Sequence, residues 1–216
     1  MKLVYNVQAD KRYYTGVDSV VLFTGNPETG YAWEGITGVT YSPEGGDITT
    51  FYANNSSYVA VAANEKVKGK IKAYTFPEAF YACDGAIKAA TGVYAAGQSR
   101  QPFSLVWASD VGSDGNPSIG KVYMIVYNAT ISPSEFSPET KNDSPALVDF
   151  EWEYTAIGVP CTTDGYSNTI AAFTVDTSKA SPAFTAWFVD TVYGTATTDP
   201  TLPDPDTIIS QAGALL

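Results

Sequence analysis

Lys66-Val67-Lys68-Gly69-Lys70-Ile71-Lys72-Ala73 and Val148-Asp149-Phe150-Glu151-Trp152-Glu153-Tyr154 each carry a charge on every second residue, basic in the first stretch and acidic in the second. Successive side chains of a strand point to opposite faces, so this period predicts two β-strands, each with one charged and one apolar face. Charges laid out in rows suit a wall or a subunit contact better than a converging catalytic pocket. If the two strands are neighbours, or meet across a subunit boundary, opposite charges stand opposite each other and help to set register and partner choice.

The rest of the chain fits a strand-rich protein. Its 216 residues are enough for one well-buried core, and 18 Gly and 13 Pro punctuate segments rich in Tyr, Phe, Thr and Val. Strands are expected at about 17–23, 36–42, 48–52, 57–63, 66–75, 102–109, 121–130, 146–157 and 169–175. Turn chemistry separates them at Gly25-Asn26-Pro27, Gly45-Gly46, Asp84-Gly85, Asp114-Gly115-Asn116-Pro117 and Asp164-Gly165. A short helix is expected from Phe76 to Cys83 with Pro77 at its first position. A longer one is capped by Ser181, opened by Pro182 and stopped at Tyr193-Gly194. The stripe Phe184, Trp187, Phe188 and Val192 on that second helix is expected to pack on a sheet. Residues 200–205 read as a rigid extended segment, followed by a short apolar end that docks on its own domain or on a neighbour. No linker divides the chain, so residues 1–216 read as a single domain.

Composition narrows the function. Acids outnumber bases 23 to 12, for a net charge of −11, which opposes general affinity for nucleic acid or anionic membrane. With no histidine, the chain lacks the commonest general base and the commonest zinc ligand. No cofactor or metal pattern stands out. The glycines of Gly92 to Ser99 are spaced like a phosphate-binding loop, but Gln98 stands where lysine is needed. Asp110, Gly112, Asp114 and Gly115 echo a calcium loop, yet Lys121 occupies the position of the bidentate Glu, and a hairpin turn is the better reading. Same-face carboxylates on one strand lie about 6.6 Å apart, within the range glycosidases use, but Asp149, Glu151 and Glu153 are equally spaced with nothing to raise one pKa. Cys83 and Cys161 are open to a single disulfide or to two buried thiols, the latter favoured by a start that lacks the apolar run of a signal peptide. A soluble chain made without a cleaved leader is expected.

An ordered series of short stretches covers nearly the whole chain. Arg12-Tyr13-Tyr14-Thr15-Gly16-Val17-Asp18 comes first, then Phe76-Pro77-Glu78-Ala79-Phe80 with Cys83-Asp84-Gly85, and Gly97-Gln98-Ser99-Arg100-Gln101-Pro102-Phe103. Tyr127-Asn128-Ala129-Thr130, Ser132-Pro133-Ser134-Glu135, Asn142-Asp143-Ser144-Pro145, Val159-Pro160, Val192-Tyr193-Gly194 and Leu202-Pro203-Asp204-Pro205-Asp206 follow. In this order they resemble the major tail (tail tube) proteins of bacteriophages with long, non-contractile tails. The resemblance implies a small β-sandwich or barrel with a flanking α-helix, six copies closing into a hexameric ring. Such rings stack into a virion tail tube that conducts DNA and the tape-measure protein, with terminator and distal tail proteins at its ends, no membrane partner, no cofactor and no active site.

On that reading Lys66, Lys68, Lys70, Lys72, Asp149, Glu151 and Glu153 are candidates for lumen or inter-subunit surface, and 43–66 and 131–145 for contacts between rings. Six copies at −11 each carry −66, consistent with a bore along which DNA slides without sticking. The competing function is an extracellular β-sandwich module that binds carbohydrate or protein through exposed Tyr and Trp.

Overall fold

The computed structural model describes residues 11–25, 28–62, 66–135, 137, 140, 147–163, 165 and 169–215. The strands are β1 (Arg12–Thr24), β2 (Thr29–Ala32), β3 (Ile36–Val39), β4 (Ser42–Glu44), β5 (Ile48–Ala53), β6 (Ser56–Ala62) and β7 (Lys66–Ala73). After the helical turn α1 (Phe80–Cys83) come β8 (Ile87–Ala90), β9 (Val93–Ala95), β10 (Phe103–Ser113), β11 (Asn116–Ile131), β12 (Phe150–Ala156), β13 (Val159–Pro160), β14 (Thr169–Ile170) and β15 (Ala172–Asp176). Helices α2 (Pro182–Tyr193) and α3 (Pro205–Ala214) end the described chain.

One antiparallel sheet organises the molecule in the order β2-β1-β10-β11-β12-β7-β3, with β15 added to β11 and β4 to β7. β2 lies at one end of this order and β3 at the other, yet only Trp33, Glu34 and Gly35 separate them in sequence. The sheet is therefore rolled into a barrel, and β3 also touches β1. Trp33 sits at the closure, its backbone N–H donating to Val20 O (2.9 Å) and its Nε1–H to Thr75 O (2.8 Å). Gly35 adopts φ 79°, and a side chain there would meet Thr75, so the crossing requires glycine.

Two apolar cores lie on the two faces of the β1–β10–β11 wall. Inside the barrel Leu22, Val67, Ile71, Phe103, Leu105, Ala129, Trp152 and Tyr154 pack around Trp33 and Phe80. Aromatic edges dominate this interior: Trp33–Phe80 ring centroids are 4.4 Å apart and Phe80–Trp152 are 4.9 Å apart. Outside, Phe23, Val106, Tyr123, Ile125 and Tyr127 are covered by Phe184, Phe188 and Val192 of α2 and Ile208 of α3. The aromatic stripe of α2 is thus a packing face. Ser181 accepts from Phe184 N–H, and Pro182 opens the helix as its sequence foretells.

Several expectations are corrected. The strand expected at 36–42 is two short strands, parted where Thr40 exchanges hydrogen bonds with Lys70. The strand expected at 169–175 is broken at Ala171, whose carbonyl accepts from Tyr127 N–H. The helix expected over 76–83 is only Phe80–Cys83: Pro77 and Glu78 form turns whose carbonyls accept from Phe80 and Tyr81. Residues 205–214, expected to be an extended tail's apolar end, form α3, because Asp204 caps the helix by accepting from Thr207 N–H at 2.7 Å and Pro205 takes its first position. Asp206 then ties α3 to the preceding loop, accepting from the backbone N–H and hydroxyl groups of Thr162 and Thr163 and from the Cys161 thiol. The β10–β11 hairpin turns at Asp114-Gly115, so the calcium-loop echo is a turn, as expected. Cys83 and Cys161 are both buried free thiols. Residues 136, 138, 139 and 141–145 of the 131–145 connection lie outside the described residues, as does position 146 of the strand expected at 146–157.

Candidate functional site: a charged barrel wall and two polar ends

β7 and β12 are direct antiparallel neighbours, with Lys72 opposite Glu151, Lys70 opposite Glu153 and Lys68 opposite Thr155. Their inward residues are buried, so every lysine and glutamate of the two rows stands on the outer face of the barrel. Glu151 accepts from Lys70 (2.8 Å) and Lys72 (2.7 Å), and Lys70 also reaches Glu153 (2.9 Å). Lys68 turns the other way to Glu44 of β4 (2.6 Å), which is also opposite Lys66 in register. Asp149 lies exposed just ahead of β12. The sequence rows are therefore brought together within one chain, where Lys68, Lys70 and Lys72 are paired with Glu44, Glu151 and Glu153.

This electrostatic arrangement disfavours acid catalysis at Glu151. Hydrogen bonds from Lys70 and Lys72 pull the Glu151 carboxyl down to about 2, and the bonds to Glu151 and Glu153 raise the Lys70 ammonium above its ordinary value. A general acid needs the opposite shift. Among the described residues no group of three or more Cys, Asp or Glu is placed to hold a metal ion, and no helix is long and apolar enough to cross a membrane. The Gly92–Ser99 stretch forms the turn and second strand of a small hairpin, not a strand–loop–helix phosphate cradle.

Behind the charged face of the wall, Gly69 sits buried opposite Tyr154. The Tyr154 ring lies over this glycine, and its hydroxyl donates to Thr40 O at 2.9 Å. Burial pushes the Tyr154 phenol well above its ordinary range, so it remains a donor at any physiological pH.

Sequence reasoning missed Glu44 as a partner of the lysines: Ser42 closes the expected strand 36–42 and Pro43-Glu44 open the 43–66 contact candidate, whereas Ser42–Glu44 form one segment. The segment is an edge strand, where proline is tolerated. Of the two ends of the barrel, it named the first, within 43–66 and with strands expected at 48–52 and 57–63, and missed the second. Beyond the Lys66 end of β7, β5 and β6 form a two-stranded hairpin that pairs with no other strand among the described residues, turning at Asn54-Asn55 with positive φ at both residues. Ile48, Phe51, Tyr52, Tyr58, Val59 and Val61 are all exposed there. At the Ala73 end, α1, Tyr31 and the β8–β9 hairpin enclose an open cleft of about 450 Å³. The available signal for the first was a run without charge, residues 48–61.

No protein-family model and no curated protein sequence matches the chain. Solved structures with a similar course of chain include a sheath/tube terminator of an extracellular contractile injection system (PVC) in the extended state. It is 8% identical, with 81% of this chain and 99% of that chain covered, at a TM-score of 0.38. The tube-terminating cap of the anti-feeding prophage is 10% identical, with 82% and 95% covered, at 0.36. A chain of the PVC sheath–tube complex is 10% identical, with 73% and 88% covered, at 0.33. At these scores the likenesses carry no weight for function, which rests on the chain's own geometry.

Proposed function

We propose that this chain is a structural subunit of a phage tail tube: copies close into hexameric rings, and the rings stack into a conduit for DNA. The observation that carries the reading is the β5–β6 hairpin. A lone two-stranded hairpin is marginal in water, and one with apolar side chains exposed on both faces is completed only by contact with another surface. Residues 43–66 thus remain the candidate for contacts between rings.

The charged wall suits a lumen or a subunit boundary. Lys68, Lys70 and Lys72 are matched by carboxylates, so passing DNA would find no unbalanced row of cations to grip. The β-rich barrel also presents edges, β4 and β15 among them, whose pairing between copies would remove an aggregation hazard. DNA and the tape-measure protein pass through the bore without sequence-specific contacts, terminator and distal tail proteins meet the tube ends, and the subunit belongs to the virion and transforms no substrate.

Negative-stain microscopy of the purified protein tests the assembly. Rings or tubes about 100 Å across, the width of six small barrels, are expected; a monodisperse monomer with glycan affinity would instead support the binding-module reading. The lumen assignment has its own test. Replacing Glu151 and Glu153 with lysine removes two negative and adds two positive charges per copy, a net shift of +4. If about two phosphates are gripped per ring, DNA retention should weaken about tenfold between 50 and 200 mM salt. Genome release should be slowed at low salt with assembly intact, and normal release kinetics would reject the lumen assignment.

A further inference from the structure

The two ends of the barrel are complementary. The β5–β6 hairpin leaves the chain at the Lys66 end of β7, and the cleft formed by α1 and β8–β9 follows the Ala73 end. Eight strand residues, about 26 Å of β7, separate the two. The hairpin carries no charged residue from Ile48 to Val61 and exposes Phe51, Tyr52 and Tyr58.

The cleft is lined by Tyr31, Ala79, Tyr81, Ala82, Ile87 and Tyr94. Its two charged side chains, Glu78 and Lys88, are bonded to each other, and Tyr94 Oη–H donates to the same carboxylate. Tyr81 and Tyr94 stack at 3.9 Å, fixing a flat aromatic wall. Tyr31 and Ile87 stay exposed at its mouth.

We infer that the occupant of this cleft is a second copy of the same chain: the β5–β6 hairpin of one subunit seats its aromatic side chains between α1 and β8–β9 of the next. An uncharged aromatic hairpin strands no polar partner in a cleft whose only charges are mutually satisfied. The two surfaces lie at opposite ends of one strand, so the contact is head-to-tail. A head-to-tail contact whose rotation does not close on itself builds an open-ended column. The inference rests on the assembly reading above and names the two surfaces that meet between layers.

Two exposed positions test it without touching either core: Tyr58→Glu in the hairpin and Ile87→Glu at the cleft mouth, which are 77% and 55% exposed. Each variant, confirmed as folded by near-ultraviolet circular dichroism, is expected to stop at its unstacked particle, monomer or ring, in sedimentation velocity. Mixing them restores one productive contact, the intact hairpin of the Ile87→Glu chain in the intact cleft of the Tyr58→Glu chain. The mixture should therefore double the particle mass and grow no further. Columns formed by either variant alone, or a mixture that stays at unit mass, overturn the pairing while leaving wild-type assembly untouched. A wild-type chain that never assembles overturns the tube reading and the pairing together.

Discussion

Gly69→Ala is the sharpest test of how the charged wall is held. A methyl group at this position would lie 1.9 Å from Thr40 O and 2.5 Å from Tyr154 Oη. Neither neighbour can yield cheaply. Thr40 is tied to β7 by backbone bonds to Lys70, and Tyr154 is 2% exposed within the barrel core. Relief requires β7 to move away from Thr40, breaking the Tyr154–Thr40 hydrogen bond. Overpacking of this kind costs about 1–3 kcal/mol and the lost bond about 1 kcal/mol. The expected loss is about 2–4 kcal/mol, or roughly 5–15 °C in Tm for a chain of this size. Gly38→Ala is the matched control: Gly38 lies opposite Lys72 on the same strand with open space around it, and should change stability by less than about 1 kcal/mol. Urea unfolding followed by tryptophan fluorescence measures both. Equal stabilities for the two variants would refute the close approach of Thr40 and Tyr154 to β7, and with it the account of how Lys68 and Lys70 are aligned.

Three further outcomes follow from the geometry. The Glu151 carboxyl is pulled down from 4.5 to about 2 by Lys70 and Lys72, so its stabilising contribution is present above about pH 4.5 and lost as pH falls toward 2. Glu151→Gln should flatten the fall of the urea midpoint across that window, and high salt should shrink the difference because the pairs are exposed; parallel curves would exclude the pairing. Asp206→Ala removes the acceptor for both threonines of the 162–163 loop, and amide hydrogen exchange in 205–214 should quicken at least several-fold while the β10–β11 ladder keeps its protection. Trp33→Phe deletes the Nε1–H bond to Thr75 O at the barrel closure and should cost about 1–3 kcal/mol; a loss below about 0.5 kcal/mol would mean the closure does not depend on it.

Much of this molecule is written in local pattern. Alternation over 66–73 and 148–154 foretells two strands with charged outer faces, because the period of a strand is two and a core accepts one face. Ser181-Pro182 announces α2, since an N-cap acceptor and a fixed φ act within one turn. The same chemistry at Asp204-Pro205 announces α3, and it was hidden by the prolines before it and the brevity of the apolar pattern. Mistakes elsewhere have a common origin. Strands β2, β8, β9 and β13 have two to four residues, too few to show a period. The split at Thr40 depends on Lys70, thirty residues away.

What sequence alone determines here is which face of each strand is charged, how the longer helix is capped, and that the acids and lysines come in rows. Tertiary structure decided that the rows belong to adjacent strands of one chain, that Glu44 joins them, and that Trp33 and Gly35 carry the chain across the barrel seam. It also decided that an uncharged hairpin and an aromatic cleft stand at opposite ends of β7. Periodicity is a property of neighbours along the chain, whereas these pairings join residues as distant in sequence as Lys70 and Glu153, and only the shared burial of Trp33, Phe80, Trp152 and Tyr154 selects them.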